Sequence, residues 1–446
     1  MPISPARVAA FQILLRVEQE DAYAAELLHS SRYAKLAAAD HRLATELVMG
    51  VLRWRSFLDQ EITPQSSIQL AKLDPEVLTS LRLAGYQIMF LDRIPARAAI
   101  HESVELVKQA HKRSAVAFTN AVLRKMTTLS PRGSAGFHLA LSTTRSQLAM
   151  ESAHPEWLVA RWVREFGFER AGQICAYDQQ IPETDIRVSE GADELLKAEH
   201  VQLAPGRLLS SARRVVSGDV TATTMFREGR IAIQDEASQL VALMVGHGEK
   251  ILDCCAAPGG KTRALAERNP SAMIVAADLH PHRARLLRTL VSTQNVQVVA
   301  ADALALPLIA QFDRVLADVP CSGTGTLVRN PEIKWRLKPE DLDNLRDRQT
   351  AILRSVMERV APRGRLVYAT CSLEREENQE IVESVLSSDS SFRLLNCREK
   401  LEQLRSQGEL VWDDPASLTS GPYLRTIPGV HPCDGFFAAI LEKASS

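Results

Sequence analysis

The sequence predicts an all-α amino-terminal domain followed by an α/β domain with a doubly wound sheet, and a small α/β insert in front of that sheet. Three observations predict this class. Apolar residues recur at helical spacing, with few glycines, from Pro5 to about Met126. From Lys250 onward, apolar strand-like runs alternate with helical stretches, which predicts a mostly parallel sheet. Between these regions, residues 183–233 combine short strand-like segments with one helix.

The amino-terminal domain, residues 1–140, is predicted to be a bundle of helices. Leu43, Leu47, Val51 and Leu58 recur at helical spacing, and further helices are predicted over 75–91, 98–110 and 114–126. Residues 127–144 include the Pro, Gly and Ser residues that are typical of a linker. The pattern alone favours a packing module over any specific function.

The second half of the chain is predicted to contain a small α/β subdomain over residues 145–233 and the main α/β domain over residues 234–446. Asp235 is the predicted N-cap of the helix that opens the main domain. Its strands are predicted over residues 250–254, 273–277, 296–300, 312–317, 364–369 and 435–440. In such sheets, ligands bind beyond the carboxyl ends of the strands. Polar residues that follow each strand are therefore the candidates for a site.

Length and composition limit the classes of protein that fit. A chain of 446 residues suggests two to three domains, and 46% hydrophobic with 24% charged residues is typical of a globular protein. The net charge of −1 does not indicate nucleic-acid binding, although residues 1–140 carry 17 basic and 13 acidic residues, a balance of 17 − 13 = +4. The seven cysteines form no C-x-x-C pair, so we expect no metal site, no disulfide scaffold and a reducing, cytoplasmic location. Without an apolar run of membrane-spanning length or a leader pattern, we expect no membrane association.

A glycine-rich turn after the first strand of the main sheet is the strongest candidate for a ligand site. A strand–turn–helix unit directs free backbone N–H groups and the positive end of a helix dipole at the turn. The residues of this turn are Cys255, Ala256, Ala257, Pro258, Gly259, Gly260 and Lys261. A phosphate-binding P-loop would need a glycine in place of Cys255, and the dinucleotide fingerprint G-x-G-x-x-G is absent. A turn that binds nothing is the remaining alternative.

Acidic residues after the next two strands favour one ligand. Asp278 ends the second strand, where its carboxylate can accept hydrogen bonds from both hydroxyls of a ribose. Asp302 follows the third strand, where an acidic group can accept one from an adenine amine. A glycine-rich loop followed by two such acids is the arrangement expected of an S-adenosylmethionine site, and we predict that cofactor.

Two cysteines follow neighbouring strands at the same end of the sheet. Cys321 lies in the turn that begins at Asp318, and Cys371 follows the next strand. A free cysteine is commonly a small buried apolar residue, but two at the ligand-binding end of a sheet indicate chemistry. A thiolate that adds to C6 of a pyrimidine makes C5 nucleophilic enough to accept a methyl group, and a second thiol or a base can assist loss of the C5 proton. Asp318 can bind the N3/N4 edge of cytosine and stabilise the charge shift.

From about Pro155 to the C-terminus, several long motifs resemble those of the RNA 5-methylcytosine methyltransferases (NOL1/NOP2/Sun family). These motifs occupy residues 255–262, 318–325, 329–335, 370–372 and 431–437. The resemblance implies a Rossmann-like methyltransferase sheet in which Cys371 is the nucleophile and Cys321 assists release of the product. It also implies that Cys255–Lys261, Asp278, Asp302 and Asp318 line the cofactor and base pockets.

The helical front end resembles a NusB-like RNA-binding domain, through Arg7-Val8-Ala9 and the segment 118–124. Together the two resemblances imply a bacterial enzyme that methylates cytosine C5 in 16S rRNA. The implied partner is 16S rRNA, and we expect a monomer without a metal.

A basic segment with an aromatic residue is a candidate RNA contact near the same end of the sheet. The residues are Arg329, Lys334, Trp335 and Arg336. Cations beside an aromatic side chain suit single-stranded RNA, and the target base must be unpaired or flipped out for C5 to be reached. The alternative for this segment is an ordinary solvated loop.

Three other functions stay open at this point. A tRNA cytosine is the nearest alternative substrate, because the catalytic half would look the same. A non-catalytic NusB-like RNA-binding factor would fit the front domain, although Cys321 and Cys371 argue against it. A small-molecule or protein methyltransferase would have no use for paired thiols.

Overall fold

The computed structural model describes residues 3–20, 22–33, 35–129, 143–188, 191–291 and 293–445. The chain divides into two compact units: residues 1–181 together with 327–337, and residues 182–326 together with 338–446. Most of the predicted linker, residues 130–142, lies outside the described residues. The first unit thus extends past the domain end predicted at residue 140, and it includes a short segment from the second half of the chain.

The first unit is built from helices, as predicted for the amino-terminal domain. With labels in chain order, they are α1 (Pro5–Gln19), α2 (Ala24–Leu28), α3 (Ala38–Arg53), α4 (Arg55–Ile62), α5 (Pro75–Phe90), α6 (Ala96–Gln109), α7 (Val116–Met126), α8 (Arg145–Glu151), α9 (Glu156–Phe166) and α10 (Phe168–Asp178), with α16 (Ile333–Arg336) from the later segment.

Local sequence explains where these helices begin and which faces they bury. Helix α1 starts at Pro5, whose fixed φ suits a first helical position, and the Ser4 hydroxyl caps it by accepting a hydrogen bond from the Arg7 amide. The residues predicted at helical spacing lie in the core: Leu47 and Leu58 are fully buried. Burial of such apolar faces is the main source of stability for helices of this length.

The second unit begins with a four-stranded antiparallel sheet, the predicted α/β insert. Its elements are β1 (Thr184–Val188), α11 (Ala192–Ala198), β2 (Gln202–Pro205), β3 (Ala212–Ser217), α12 (Thr224–Arg227) and β4 (Ile231–Ile233), with strand order β2-β3-β1-β4. The sequence pattern missed β2, because Gln-Leu-Ala-Pro is short and shows no clear alternation. The helices over residues 145–178, which we expected beside this sheet, belong to the first unit.

In the part of the second unit that the structure describes, the main sheet has nine strands flanked by helices. The strands are β5 (Lys250–Asp253), β6 (Met273–Asp278), β7 (Val296–Ala300), β8 (Phe312–Asp318), β9 (Val360–Thr370), β10 (Phe392–Leu395), β11 (Thr419–Ser420), β12 (Tyr423–Arg425) and β13 (Phe437–Lys443). The helices are α13 (Glu236–Val245), α14 (Gly260–Arg268), α15 (Pro281–Leu290), α17 (Asp341–Met357), α18 (Gln379–Ser388) and α19 (Cys397–Ser406).

The order of the strands determines where a ligand can bind. Strands β7, β6, β5, β8 and β9 are parallel and adjacent in that order, and β13 adds antiparallel to β9. The chain therefore reverses direction across the sheet between β5 and β8. Such a switch point opens a crevice at the carboxyl ends of the strands. The predicted doubly wound, Rossmann-like sheet is confirmed.

Both faces of this sheet are covered by apolar side chains. Leu240 and Leu401, from α13 and α19, pack in one buried cluster with β-strand residues. On the other face, Leu353 and Val382, from α17 and α18, pack in a second cluster. Strands buried on both faces contain nearly continuous apolar runs, which is why the sequence pattern located the central strands. Within the described residues, we find no helix with the length and hydropathy needed to cross a bilayer.

Candidate active site

The predicted cofactor loop connects β5 to α14 in the second unit. The bond between Ala257 and Pro258 is cis, and Gly259 has φ of 118°, a left-handed conformation that side chains disfavour. A Cβ added at Gly259 would lie 2.6 Å from the Leu287 side chain. The loop is thus closely packed on α15, and the first turn of α14 begins at Gly260 with N–H groups that have no partner inside the helix.

Asp278 is closely tied to this loop, whereas Asp302 is not. Asp278 ends β6 and is 5% exposed; one carboxylate oxygen accepts a hydrogen bond from the Ala257 amide at 3.3 Å, and the other from the His280 amide at 3.0 Å. Asp302 lies beyond the end of β7, is exposed, and caps a short 3-10 turn by accepting a hydrogen bond from the Leu304 amide at 2.9 Å.

The two cysteines meet at the carboxyl ends of β8 and β9. These strands are parallel neighbours in which Asp318 is paired with Ala369. The turns that follow them bring the sulfur atoms of Cys321 and Cys371 to 3.3 Å from each other. Both residues are partly exposed to solvent.

Lys261 and Asp318 form an ion pair across the switch point of the sheet. The Lys261 ammonium lies 2.7 Å from a carboxylate oxygen of Asp318 and 4.9 Å from the centre of the Phe436 ring. Burial by itself would lower the pKa of Lys261, but the negative charge and hydrogen bond of Asp318, with a further contribution from Cys371, raise the pKa overall. Lys261 is therefore a fixed cation beside the thiol pair.

The surroundings of Cys321 favour the protonated form of its thiol. The hydrogen bond with Cys371 and then burial raise the pKa of Cys321 well above its usual range, and the nearby charges of Cys371, Glu377 and Asp318 act in the same direction. Cys321 consequently holds its proton, and its S–H group can donate to the sulfur of Cys371.

A second buried acid lies at the end of β5. Asp253 is fully buried and accepts a hydrogen bond from the Thr262 hydroxyl at 2.7 Å. Burial raises the pKa of Asp253 to about 7; the Thr262 bond and Lys261 oppose this rise, and the charge of Asp318 adds to it. Asp253 was not among the predicted site residues.

Sequence reasoning also missed a buried network between the two cysteine turns. Glu377, in a short turn before α18, is fully buried. Its carboxylate accepts hydrogen bonds from groups of Ser322, Ser372 and Gln349. Ser322 and Ser372 are the residues that follow the two cysteines. The signal available in the sequence was a hydroxyl residue after each cysteine, but nothing indicated their shared partner.

The segment predicted to contact RNA packs within the first unit. Lys334 is 1% exposed, and its ammonium group donates to the backbone oxygen of Arg53 at 3.0 Å. Burial lowers the pKa of Lys334 to about 7; the carboxylate of Asp178 opposes this and the cation of Arg53 adds to it. We expected either an exposed cation that contacts RNA or a solvated loop, and this placement contradicts both. The Lys334 ammonium group is buried among the helices, where it is hydrogen-bonded to a backbone oxygen.

The side chains of Trp335 and Arg336 also donate to backbone oxygens of the first unit. The indole N–H of Trp335 donates to the backbone oxygen of Leu52 at 2.6 Å, and the guanidinium of Arg336 donates to that of Val17 at 3.0 Å. Trp335, Arg336 and Arg329 are half-buried. The structure therefore does not gather these four residues into an exposed set, and no RNA contact is assigned to Lys334. Within the described residues, no cluster of side chains suits a metal ion.

Comparisons with known proteins agree with both parts of this architecture. The family model described as 16S rRNA methyltransferase RsmB/F matches residues 240–442, and that of the NusB family matches residues 4–128. The probable ribosomal RNA small subunit methyltransferase B of Bacillus subtilis (strain 168) is 34% identical over 98% of this chain and 98% of its own. Ribosomal RNA small subunit methyltransferase B of Vibrio cholerae serotype O1 is 32% identical over 91% of this chain and 90% of its own.

A solved structure shows the same fold over nearly the whole length. The crystal structure of PH0851 aligns with 99% of this chain and all of its own, with a TM-score of 0.81 and 24% identity. Together with the two family models, the Rossmann-like sheet and the NusB-like helices identify the chain as a methyltransferase. Since the Bacillus and Vibrio relatives are more than 30% identical over at least nine-tenths of this chain and of their own, the chain belongs to the RsmB/F family of methyltransferases.

Proposed function

We propose that this chain transfers a methyl group from S-adenosylmethionine to C5 of a specific cytosine in 16S rRNA, through a covalent bond between Cys371 and C6. The observation that carries the proposal is the pair of sulfur atoms 3.3 Å apart beside the Lys261–Asp318 ion pair. Methylation of nitrogen or oxygen needs no such pair. The small-subunit rRNA named in the relatives' descriptions supports the class of substrate.

The residues at the switch point fit the proposed cofactor. The free N–H groups of the first turn of α14 suit a carboxylate, and Asp278, held against the loop by the Ala257 amide, suits the hydroxyls of a ribose. Residues Cys255–Lys261 and Asp278 would hold S-adenosylmethionine, with exposed Asp302 at the adenine. The cofactor supplies an electrophilic methyl group when bound.

Cys371 begins the reaction as a thiolate. Its sulfur forms a bond to C6 of cytosine while the electron pair of the C5–C6 double bond moves to C5, which becomes the nucleophile. The Lys261 cation favours the negative charge on Cys371, and the protonated Cys321 can donate a hydrogen bond to it. Asp318 can bind the N3/N4 edge of the base while charge shifts into the ring.

Cys321 completes the reaction after C5 is methylated. It removes the proton from C5, the electron pair restores the C5–C6 double bond, and the bond between Cys371 and C6 breaks. In the adduct, the sulfur of Cys371 is a neutral thioether. One cause of the raised pKa of Cys321 is then gone, so Cys321 ionises more readily at the step that needs a base.

Substitution of the nucleophile tests the proposal directly. We expect Cys371→Ala to abolish transfer of tritiated methyl groups to 16S rRNA while binding of S-adenosylmethionine persists in calorimetry. Cys175→Ala, which removes a buried thiol of the first unit, is the matched control. Normal methylation by Cys371→Ala would contradict the covalent mechanism.

A block of the release step should leave the covalent intermediate detectable. We expect Cys321→Ala to accumulate a covalent protein–RNA adduct, seen as a slowly migrating band on a denaturing gel, because proton removal from C5 is slowed. The band should disappear in the Cys321→Ala/Cys371→Ala double variant. Bisulfite sequencing of rRNA and tRNA from a deletion strain then identifies the modified cytosine, and loss of a tRNA site alone would favour the alternative substrate.

A further inference from the structure

The carboxylate of Glu377 lies between the two turns that carry the thiols. Glu377 is fully buried, and each of its two carboxylate oxygens accepts two hydrogen bonds. One oxygen accepts from the Ser322 amide at 2.7 Å and from the Gln349 side chain at 2.9 Å. The other accepts from the Ser322 hydroxyl at 2.5 Å and from the Ser372 hydroxyl.

The two serine donors belong to the two turns that carry the thiols. Ser322 follows Cys321, so its amide and hydroxyl fix the turn after β8. Ser372 follows Cys371, so its hydroxyl fixes the turn after β9. The Glu377 carboxylate thus accepts hydrogen bonds from both turns. The turns also contact each other directly, through the hydroxyls of Ser322 and Ser372 at 3.0 Å and from the Gly325 amide to the Cys371 backbone oxygen at 2.9 Å.

Gln349 links this carboxylate to α17. Its amide nitrogen donates to Glu377 and, at 2.8 Å, to the backbone oxygen of Pro320, the residue before Cys321. The backbone oxygen of Glu377 accepts a hydrogen bond from the buried Tyr368 hydroxyl at 2.7 Å. Hydrogen bonds from helix α17 and strand β9 therefore hold Glu377 in place.

The proposed chemistry requires that the two sulfur atoms be held accurately. Cys371 must reach C6 while Cys321 reaches the proton on C5, the neighbouring ring atom. The two turns are separated by about fifty residues of chain, and only noncovalent contacts keep them in register. Displacement of a reacting group by about 1 Å can lower a rate by about a hundredfold.

We propose that Glu377 is a positioning residue that sets the separation of Cys321 and Cys371 by binding the serine that follows each of them. Its role in catalysis rests on the function proposed above. The geometric claim, that it holds the two sulfur atoms within reach of one another, stands without RNA or cofactor and can be measured separately.

A dithiol reagent measures the separation directly. Phenylarsine oxide condenses with two adjacent thiols to form two As–S bonds and release water. Cys254 and Cys255, whose sulfur atoms are 4.0 Å apart, would also capture it, so the experiment uses the full-length Cys254→Ala protein. We expect fast binding of one arsenic per chain, lost in Cys321→Ser.

Removal of the carboxylate should slow this capture. In Glu377→Ala we expect capture to be about tenfold slower or more, and single-turnover methylation to fall by about a hundredfold, while the dissociation constant for S-adenosylmethionine stays within about twofold. Glu377→Gln, which can still accept from Ser322 and donate to a serine hydroxyl, should restore part of both rates. Glu380→Ala, an exposed glutamate of α18, is the matched control and should change neither.

The outcomes separate the two proposals. If Glu377→Ala fails to fold, two other variants decide the question through the same capture rate. Glu377→Gln keeps the shape of the side chain, and Ser372→Ala removes the bonds of this hydroxyl to Glu377 and to the hydroxyls of Ser322 and Thr324. Unchanged capture in folded Glu377→Ala and in Ser372→Ala would overturn the positioning role. If capture slows as expected but the parent protein does not methylate RNA, the positioning role stands and the proposed function fails.

Discussion

The buried carboxyl group of Asp253 should make the stability of the second unit depend on pH. Burial raises the pKa of Asp253 to about 7 in the folded chain, whereas an aspartate in an unfolded chain has a pKa of about 4. Between these values the folded form binds more protons. We therefore expect the contribution of Asp253 to be complete below about pH 4 and to be lost as the pH rises to about 7.

Comparison with a neutral side chain isolates this effect. In Asp253→Asn, the free energy of unfolding measured by urea titration should lack the decline between about pH 4 and 7 that we expect of the native chain. Asp302→Asn, at an exposed site, should keep the decline. Parallel curves for the native chain and Asp253→Asn would mean that Asp253 is already ionised at low pH.

Individual site residues were predictable when their role follows from position along a strand. The position of Cys321, Cys371 and Asp278 at the carboxyl ends of strands could be predicted, because polar residues that follow parallel strands meet at one end of the sheet. Glu377 could not, since its role arises from contacts with two turns that are distant in sequence. Lys334 was misplaced for a related reason: a basic residue in an irregular segment is normally exposed, and only the tertiary contact with Arg53 shows otherwise.

The turn after β8 contains a glycine that no other residue can replace without rearrangement. The Gly325 amide donates to the backbone oxygen of Cys371 at 2.9 Å, and the Gly435 amide donates to the backbone oxygen of Gly325 at 2.8 Å. A Cβ at Gly325 would lie 2.1 Å from the backbone oxygen of Gly435. We expect Gly325→Ala to lower the free energy of unfolding by about 1–3 kcal/mol and to reduce methylation, because the clash displaces the segment bonded to Cys371.

A glycine in open space provides the control. Gly408 has φ of 74° and no atom within 4 Å of an added Cβ, so Gly408→Ala should cost only the conformational strain of about 1 kcal/mol and leave methylation intact. Chemical denaturation and a methyl-transfer assay on both variants measure the difference. Full methylation by Gly325→Ala would show that the turn can move without disturbing the thiols.

Strands and helices with strong local patterns were located well, and the others were not. Strands β5 to β8 were predicted within one residue at each end, because each is a mostly apolar run. Strands β5, β6 and β8 are largely buried, as expected inside a covered parallel sheet, whereas β7 is only partly buried. Strands β10, β11 and β12 were missed. They lie toward one edge of the sheet and are two to four residues long, so pairing rather than sequence pattern makes them strands.

The helical unit should respond to pH in the opposite sense, through Lys334. Burial lowers the pKa of Lys334 to about 7, whereas a lysine in an unfolded chain has a pKa of about 10.4. Between these values the unfolded chain binds more protons, so the free energy of unfolding should rise as the pH increases from about 7 to 10. Lys334→Met, of similar length and apolar, should remove this rise.

An exposed lysine of the same unit provides the comparison. Lys72→Met replaces a side chain in water, and its stability should follow that of the native chain across the alkaline range. Urea titrations at several pH values measure all three proteins. A native chain whose stability does not rise above pH 7, relative to Lys334→Met, would show that Lys334 stays protonated in the core.

The division of the chain into units could be predicted only in part. The change from helical to alternating patterns revealed an all-α part and an α/β part, because each pattern is local. The assignment of residues 327–337 to the helical unit is a tertiary property. It depends on carbonyl groups of α3 that accept from Lys334 and Trp335, and no periodicity in either segment indicates that pairing.

Because residues 327–337 belong to the helical unit, they limit where the chain can be cut to obtain a smaller protein. A recombinant fragment that starts at residue 182 would still encode residues 327–337 but would lack the helices that receive them. Lys334 and Trp335 would lose their carbonyl acceptors, and apolar side chains such as Leu327 and Val328, now buried, would face water. Such a fragment would tend to aggregate, so any minimal catalytic version must either keep the NusB-like part or replace the segment with a short polar bridge.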